Sequence, residues 1–98
     1  MRTLMKFRVP VEAGNQAGSA VEETLKQTLA HLKPEAAYFY PEDGTRGGFL
    51  VFDLKSTSDL PMIAEPLFRR LNAKVEFFPV MNADDLSEGL KKIQSARP

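Results

Sequence analysis

Residues 36–55 read AAYFYPEDGTRGGFLVFDLK. Two apolar, aromatic-rich runs, 36–40 and 48–55, flank the turn-prone segment Pro41 to Gly47. The Asp43-Gly44 pair tolerates the positive φ angles of a tight antiparallel connection, so the stretch predicts a β-hairpin. In the second run Phe49, Leu50, Val51 and Phe52 are consecutive. Side chains alternate across a strand, which sends Phe49 and Val51 to one face and Leu50, Phe52 and Leu54 to the other. A strand apolar on both faces must be covered on both faces.

Upstream, residues 3–11 place Met5, Phe7, Val9 and Val11 on one face and Lys6 and Arg8 on the other. That period of two predicts a half-buried strand. Glu12 to Gly18 reads as a turn-rich connection, followed by a helix over 19–33 with Val21, Leu25, Leu29 and Leu32 on one stripe. Ser19 and Glu22 fit a capping box, and Pro34 ends the helix. Downstream of the hairpin, Ser58 or Asp59 caps a second helix with the stripe Leu60, Ile63, Ala64, Leu67, Phe68, Leu71. Pro66 should kink or loosen its middle, and Asn72 suits a left-handed stop. Residues 73–81 read as a fourth strand in which Pro79 marks an edge or an end. Asn82 caps a last helix carrying Leu86, Leu90 and Ile93, and the tail Gln94–Pro98 is expected to fray.

This order predicts one α+β domain over residues 1–98: a ferredoxin-like β-α-β-β-α-β core with an antiparallel four-stranded sheet, plus a C-terminal helix. Both crossovers should put their helices on the same sheet face. The opposite face is then apolar without a cover. A second copy packing sheet to sheet would cover it more fully than the short last helix folded across it, so a homodimer is expected.

The chain has 98 residues, 43% of them apolar, which suits a modest folded core. With no cysteine there is no disulfide framework, thiolate metal site or cysteine nucleophile. Thirteen basic and 13 acidic residues balance, giving no general attraction to nucleic acid or acidic membranes. Charges interrupt the N-terminal apolar residues, and no run is long enough to span a bilayer. The expectations are a cytoplasmic protein, no nucleic-acid or membrane partner, no cofactor and no metal.

The topology and the two-faced sheet resemble the dimeric α+β barrel superfamily, which includes antibiotic-biosynthesis-type monooxygenases, muconolactone isomerase-like proteins and stress-responsive barrel proteins. The stretches Lys33 to Phe39, Phe49 to Leu54, Ile63 to Phe68 and Asn72 to Leu86 are similar to a family of small uncharacterised bacterial proteins of that superfamily. The likeness covers nearly the whole chain and implies a fold, not an activity. Some members carry the name pantothenate synthetase. His31 is the only histidine here, so the paired-histidine nucleotide signature of that chemistry is absent.

The ligand-binding candidates are Tyr38, Tyr40, Phe52 and Arg8. The two tyrosines share a strand face and, with Phe52 and Phe78, were they in register, would wall a pocket for a small apolar or aromatic molecule between sheet and helices. Dimer-interface aromatics would look the same. Arg8 and Lys6, with Lys74 and Glu76, either orient an anionic ligand or pair across strands at the sheet rim. His31 lies off its helix stripe, on the solvated side. Asp53, Glu65 and Arg46 are single charges without a motif, and no catalytic residue is identified. The glycine-rich 44–48 segment joins two strands, whereas a phosphate loop must feed a helix. Gly48 to Phe52 matches half of an RNA-recognition signature, but Thr45-Arg46-Gly47 breaks the other half and the charge is neutral. Three functions fit: a small-molecule-binding homodimer, a cofactor-independent barrel enzyme of monooxygenase or isomerase type, or a structural or regulatory interaction module. The first fits best.

Overall fold

The computed structural model describes residues 1–96. Its elements are β1 (Arg2–Val9), α1 (Val11–Ala17), α2 (Ala20–Leu32), β2 (Ala36–Glu42), β3 (Thr45–Asp53), α3 (Leu60–Leu71), β4 (Lys74–Pro79) and α4 (Ala83–Ala96), with a short 3₁₀ turn at Thr57–Asp59. The four strands form one antiparallel sheet in the order β2-β3-β1-β4. The fold is therefore α+β with a four-stranded antiparallel sheet. Its order, β-α-α-β-β-α-β-α, departs from the expected β-α-β-β-α-β plus one helix by the addition of α1.

That helix occupies the segment read as turn-rich. It carries Ala13, Gly14 and Ala17 rather than a stripe of large apolar residues, so periodicity does not reveal it. It forms because Ala13 and Ala17 pack on the core, and a seven-residue helix has little stability of its own. The Ser19–Glu22 capping box is also absent: Ser19 is already in helical conformation and makes no side-chain cap. Pro66 does not break α3, which runs unbroken from Leu60 to Leu71. The carbonyl that Pro66 leaves without a helical donor belongs to Met62, an exposed residue.

The hairpin turn is tighter than the two apolar runs suggest. Strands β2 and β3 extend to Glu42 and Thr45, joined only by Asp43 (φ 55°) and Gly44 (φ 73°). Both angles are positive, the requirement of the two-residue turn that matches strand twist. This turn sets the register: Tyr38 stands opposite Phe49, and Phe39 opposite Gly48. Asn72 (φ 50°) ends α3 in the left-handed conformation, as its chemistry suggests.

The core lies between the sheet and α1–α3. Met5, Phe7 and Val9 of β1 and Leu50 and Phe52 of β3 pack with Ile63, Leu67 and Leu71 of α3. On α2 the most buried residues are Thr24 and Thr28, flanked by half-buried Val21, Leu25, Leu29 and Leu32. Thr28 Oγ1 donates to the Thr24 carbonyl at 2.8 Å, the local device that lets a hydroxyl face a core.

Helix α4 does not fold across the other sheet face. None of its residues is buried, and the molecule measures 59 × 28 × 19 Å. Its radius of gyration is 16.3 Å, against about 13 Å for a compact chain of this length. Of the tail expected to fray, Gln94–Ala96 belongs to α4. Arg97 and Pro98 lie outside the described residues. Among the described residues, no helix is long and apolar enough to cross a membrane.

Candidate functional site

Two regions carry the features of a site, one on each face of the sheet. On the open face the β1–β3 and β2–β3 registers align Leu4, Lys6 and Arg8 with Val51, Phe49 and Gly47, and these with Ala36, Tyr38 and Tyr40. Phe78 follows Leu4 on the other side. Phe49 is the hub: its ring centroid lies 5.7 Å from that of Tyr38 and 6.2 Å from that of Tyr40, the second pair edge to face. Tyr38 is 62% exposed and Phe78 42%.

Arg8 belongs to this face, at its polar end. Gly47 stands opposite Arg8 and presents no side chain there, which leaves room for Lys6 and Arg8 to reach Glu42. Lys6 Nζ is 2.8 Å from Glu42 Oε1, and the pairing holds the Lys6 ammonium above its ordinary pKa, chiefly through that hydrogen bond. Glu42 Oε2 makes no hydrogen bond of its own and is met by Arg8 Nε at 3.4 Å, with Asp43 3.6 Å from Arg8 Nη2. The Lys6–Glu76 and Arg8–Lys74 positions are register neighbours, but the cations turn to Glu42 instead.

Phe52 does not join the tyrosines. It lies on the opposite face, 2% exposed within the core. The two-residue turn pairs even-numbered positions of β2 with odd-numbered positions of β3, so Tyr38 and Tyr40 share a face with Phe49 and Val51. A one-residue difference in register exchanges every side chain between faces. For the same reason no pocket forms between helices and the Tyr38 ring; on that side the strand presents Phe39.

The second region is a cleft on the helix side, at the hairpin end of the sheet. Its volume is about 600 Å³, within the usual range for small-molecule sites. Phe7, Val9 and Phe39 form its floor, Val21 and Leu25 of α2 one wall, and Arg46 its mouth. The Phe7 and Phe39 centroids are 6.1 Å apart. Arg46 lies over Gly14 of α1, where a side chain would strike it: an added Cβ would stand 2.5 Å from Nη1. Its Nη2 donates to Asn15 Oδ1 at 3.2 Å, and among the described residues no carboxylate pairs with it. Tyr40, and Val11 of α1, also line the cleft, while Tyr38 and Phe52 do not. Sequence reasoning did not place Arg46 here, because α1, whose Gly14 and Asn15 meet it, has no periodic signature.

A smaller cavity of about 200 Å³ lies between α2 and α3, beside His31 and Pro66. The buried Thr24 Oγ1 on its lining has no hydrogen-bond partner among the described residues. His31 is exposed at its rim, with no acid paired to it. Among the described residues no group of three His, Asp or Glu side chains could hold a metal ion.

The largest carboxylate shift falls outside both regions. Lys55 Nζ hydrogen-bonds Asp53 at 2.5 Å and the Met1 ammonium approaches at 2.6 Å, lowering the carboxyl to about 2. A depressed carboxylate adds stability that is present above its unfolded value and lost as the pH falls toward the folded one. With 3.8 as the unpaired value, the window is pH 4 to 2. Wild type and Asp53→Asn should therefore converge in denaturation midpoint on acidification through that range. A gap that stays constant would mean that the carboxylate is not held in this way.

No protein-family model matches the chain, and no curated protein matches it. Among solved structures it is similar to the de novo designed protein Ferredog-Diesel, at 12% identity over 81% of this chain and 85% of that one, with a TM-score of 0.53. At that identity the likeness shows the fold alone, a ferredoxin-like α+β sheet. A looser likeness, with a TM-score of 0.39 and 12% identity over 84% of this chain and 59% of that one, is to LarC2, the C-terminal domain of a cyclometallase involved in the synthesis of the NPN cofactor of lactate racemase, apo form.

Proposed function

We propose that this chain is a small-molecule-binding homodimer. In this reading the open sheet faces of two copies meet in the manner of a dimeric α+β barrel, and each copy binds a small aromatic or apolar molecule with one anionic group in its helix-side cleft. The observation that carries the ligand half is the cleft itself: an apolar floor of Phe7 and Phe39 with, at the mouth, an Arg46 guanidinium that pairs with no acid among the described residues. Such a site desolvates a ring and meets a carboxylate with a fork of donors. The open face supports the dimer half. Taking roughly 200 Å² per aromatic side chain, the exposed fractions of Tyr38, Tyr40 and Phe78 leave about 300 Å² of aromatic surface there. That is already as large as the whole apolar patch of many monomers.

The test is a titration with benzoate and with neutral benzyl alcohol, followed by backbone amide NMR. Both should move the amides of Phe39, Gly44 and Arg46. Arg46→Met should weaken benzoate about tenfold or more while leaving benzyl alcohol unchanged, because a hydrogen bond to a charged group contributes ~1.5–3 kcal/mol. Silence of the cleft amides with both compounds would refute the ligand assignment.

A further inference from the structure

Helix α4 is well begun and badly covered. Asn82 Oδ1 accepts from the Asp85 amide at 2.8 Å, and Asp85 Oδ2 accepts from the Asn82 amide at 3.1 Å, a reciprocal cap. Yet Leu86, Leu90 and Ile93 are 48%, 52% and 55% exposed. They recur at helical spacing, so they form one stripe. A lone 14-residue helix is marginal in water and draws its stability from packing such a stripe.

Its own sheet does not supply the packing. Asp85 Oδ2 is also 2.9 Å from Arg2 Nη1, and the Val80 amide donates to the Arg2 carbonyl, so the first turn of α4 is tied to the start of β1. Only residues 80–82 separate α4 from β4. An eight-residue strand spans ~26 Å and a 14-residue helix ~21 Å. Their sum approaches the 59 Å long axis only if the helix continues beyond the sheet instead of lying across it.

We infer that α4 is an exchanged arm: its Leu86, Leu90 and Ile93 stripe packs on the open sheet face of a second copy, against the partner's Tyr38 and Phe49. This rests on the homodimer reading above and amends it: over Tyr38 and Phe49 the partner's α4 lies between the two sheet faces, so each face is incomplete without the other chain's helix. Each copy carries one uncovered apolar face and one uncovered apolar stripe, and a two-fold pair satisfies both at once with the same contact made twice. Lys6 and Arg8 are already paired with Glu42, so they can be covered, while exposed Lys74 and Glu76 lie on β4, at the sheet edge away from Tyr38, and stay in water. On each copy the ~300 Å² aromatic patch is covered and the half-exposed Leu86, Leu90 and Ile93 stripe is buried, which moves the interface toward the ~800 Å² per partner of a stable complex.

The chain contains no cysteine, so single-cysteine variants report cleanly. Chains carrying Leu86→Cys, Leu90→Cys or Ile93→Cys are each mixed with chains carrying Tyr38→Cys and oxidised gently. At least one mixture should give a disulfide-linked heterodimer, and Leu86→Ser/Leu90→Ser/Ile93→Ser should turn a species of twice 10.9 kDa into one of 10.9 kDa by light scattering, with the sheet retained by circular dichroism. A wild-type chain that scatters as 10.9 kDa at micromolar concentration overturns both the dimer and the arm. A triple-serine variant that remains dimeric overturns the arm and spares the dimer. A disulfide that forms only within a doubly substituted chain shows α4 folding onto its own sheet, which also overturns the arm.

Discussion

Phe52→Ala is expected to lose about 3–5 kcal/mol of folding stability, enough to leave a domain of this size partly unfolded at room temperature. Phe52 is 2% exposed and sits on the core face of β3 with Leu50. Strand β3 is interior to the sheet, so both neighbouring strands hold it in place and the core cannot easily collapse into the void. Chemical denaturation should show a lower midpoint with an unchanged slope. Tyr38→Ala is the matched control. Its ring is mostly exposed on the other face and pairs across the strands with Phe49, so folding of the dilute chain should change by ~1 kcal/mol or less. Equal losses for the two variants would overturn the register on which the assignment of faces rests.

Gly48→Ala should be the second severe change, although it adds a single methyl group. Gly48 faces Phe39 across the β2–β3 ladder. A Cβ there would stand 2.5 Å from the Tyr38 carbonyl oxygen and 3.1 Å from Phe39 Cα. Those are backbone atoms, so relief requires β2 to part from β3. Replacing a strand glycine ordinarily gains up to ~1 kcal/mol. Overpacking costs ~1–3 kcal/mol and more when the backbone must move, so the clash wins and the net loss is about 2 kcal/mol. Gly47→Ala, whose nearest backbone atom would be the Phe7 oxygen at 3.1 Å, should lose less. The ordering of the two midpoints in urea decides the matter; a neutral Gly48→Ala would place the strands farther apart than described here.

Neither effect is visible in the residues alone, because both depend on the β2–β3 register, which sets Gly48 opposite Phe39 and turns Phe52 to the core. Phe52 looks like a companion of Tyr38 and Tyr40 when the hairpin is read as 36–40 and 48–55, because a seven-residue gap between strands leaves the register open. The structure closes that gap to Asp43-Gly44, and parity then sends Phe52 to the core. Arg46 looks like an isolated charge until α1 and Gly14 bring it over the cleft. Of the four ligand candidates, Tyr38 and Tyr40 share a face because alternation along one strand needs no partner to be read, whereas Arg8 joins them only through the β1–β3–β2 register.

What the sequence determines by itself is therefore local. The positions of β1, α2, the hairpin, α3, β4 and α4 follow from periods of 2 and 3.6, and the stops at Lys33-Pro34, Asn72 and Pro79 from single-residue backbone chemistry. The two-faced apolar strand at Phe49–Leu54 is legible in the same way. Only the tertiary structure decides the β2–β3 register, the existence of α1, the helix-side cleft and the outward course of α4. Each depends on contacts between residues far apart in the chain, whose free energy no local window contains.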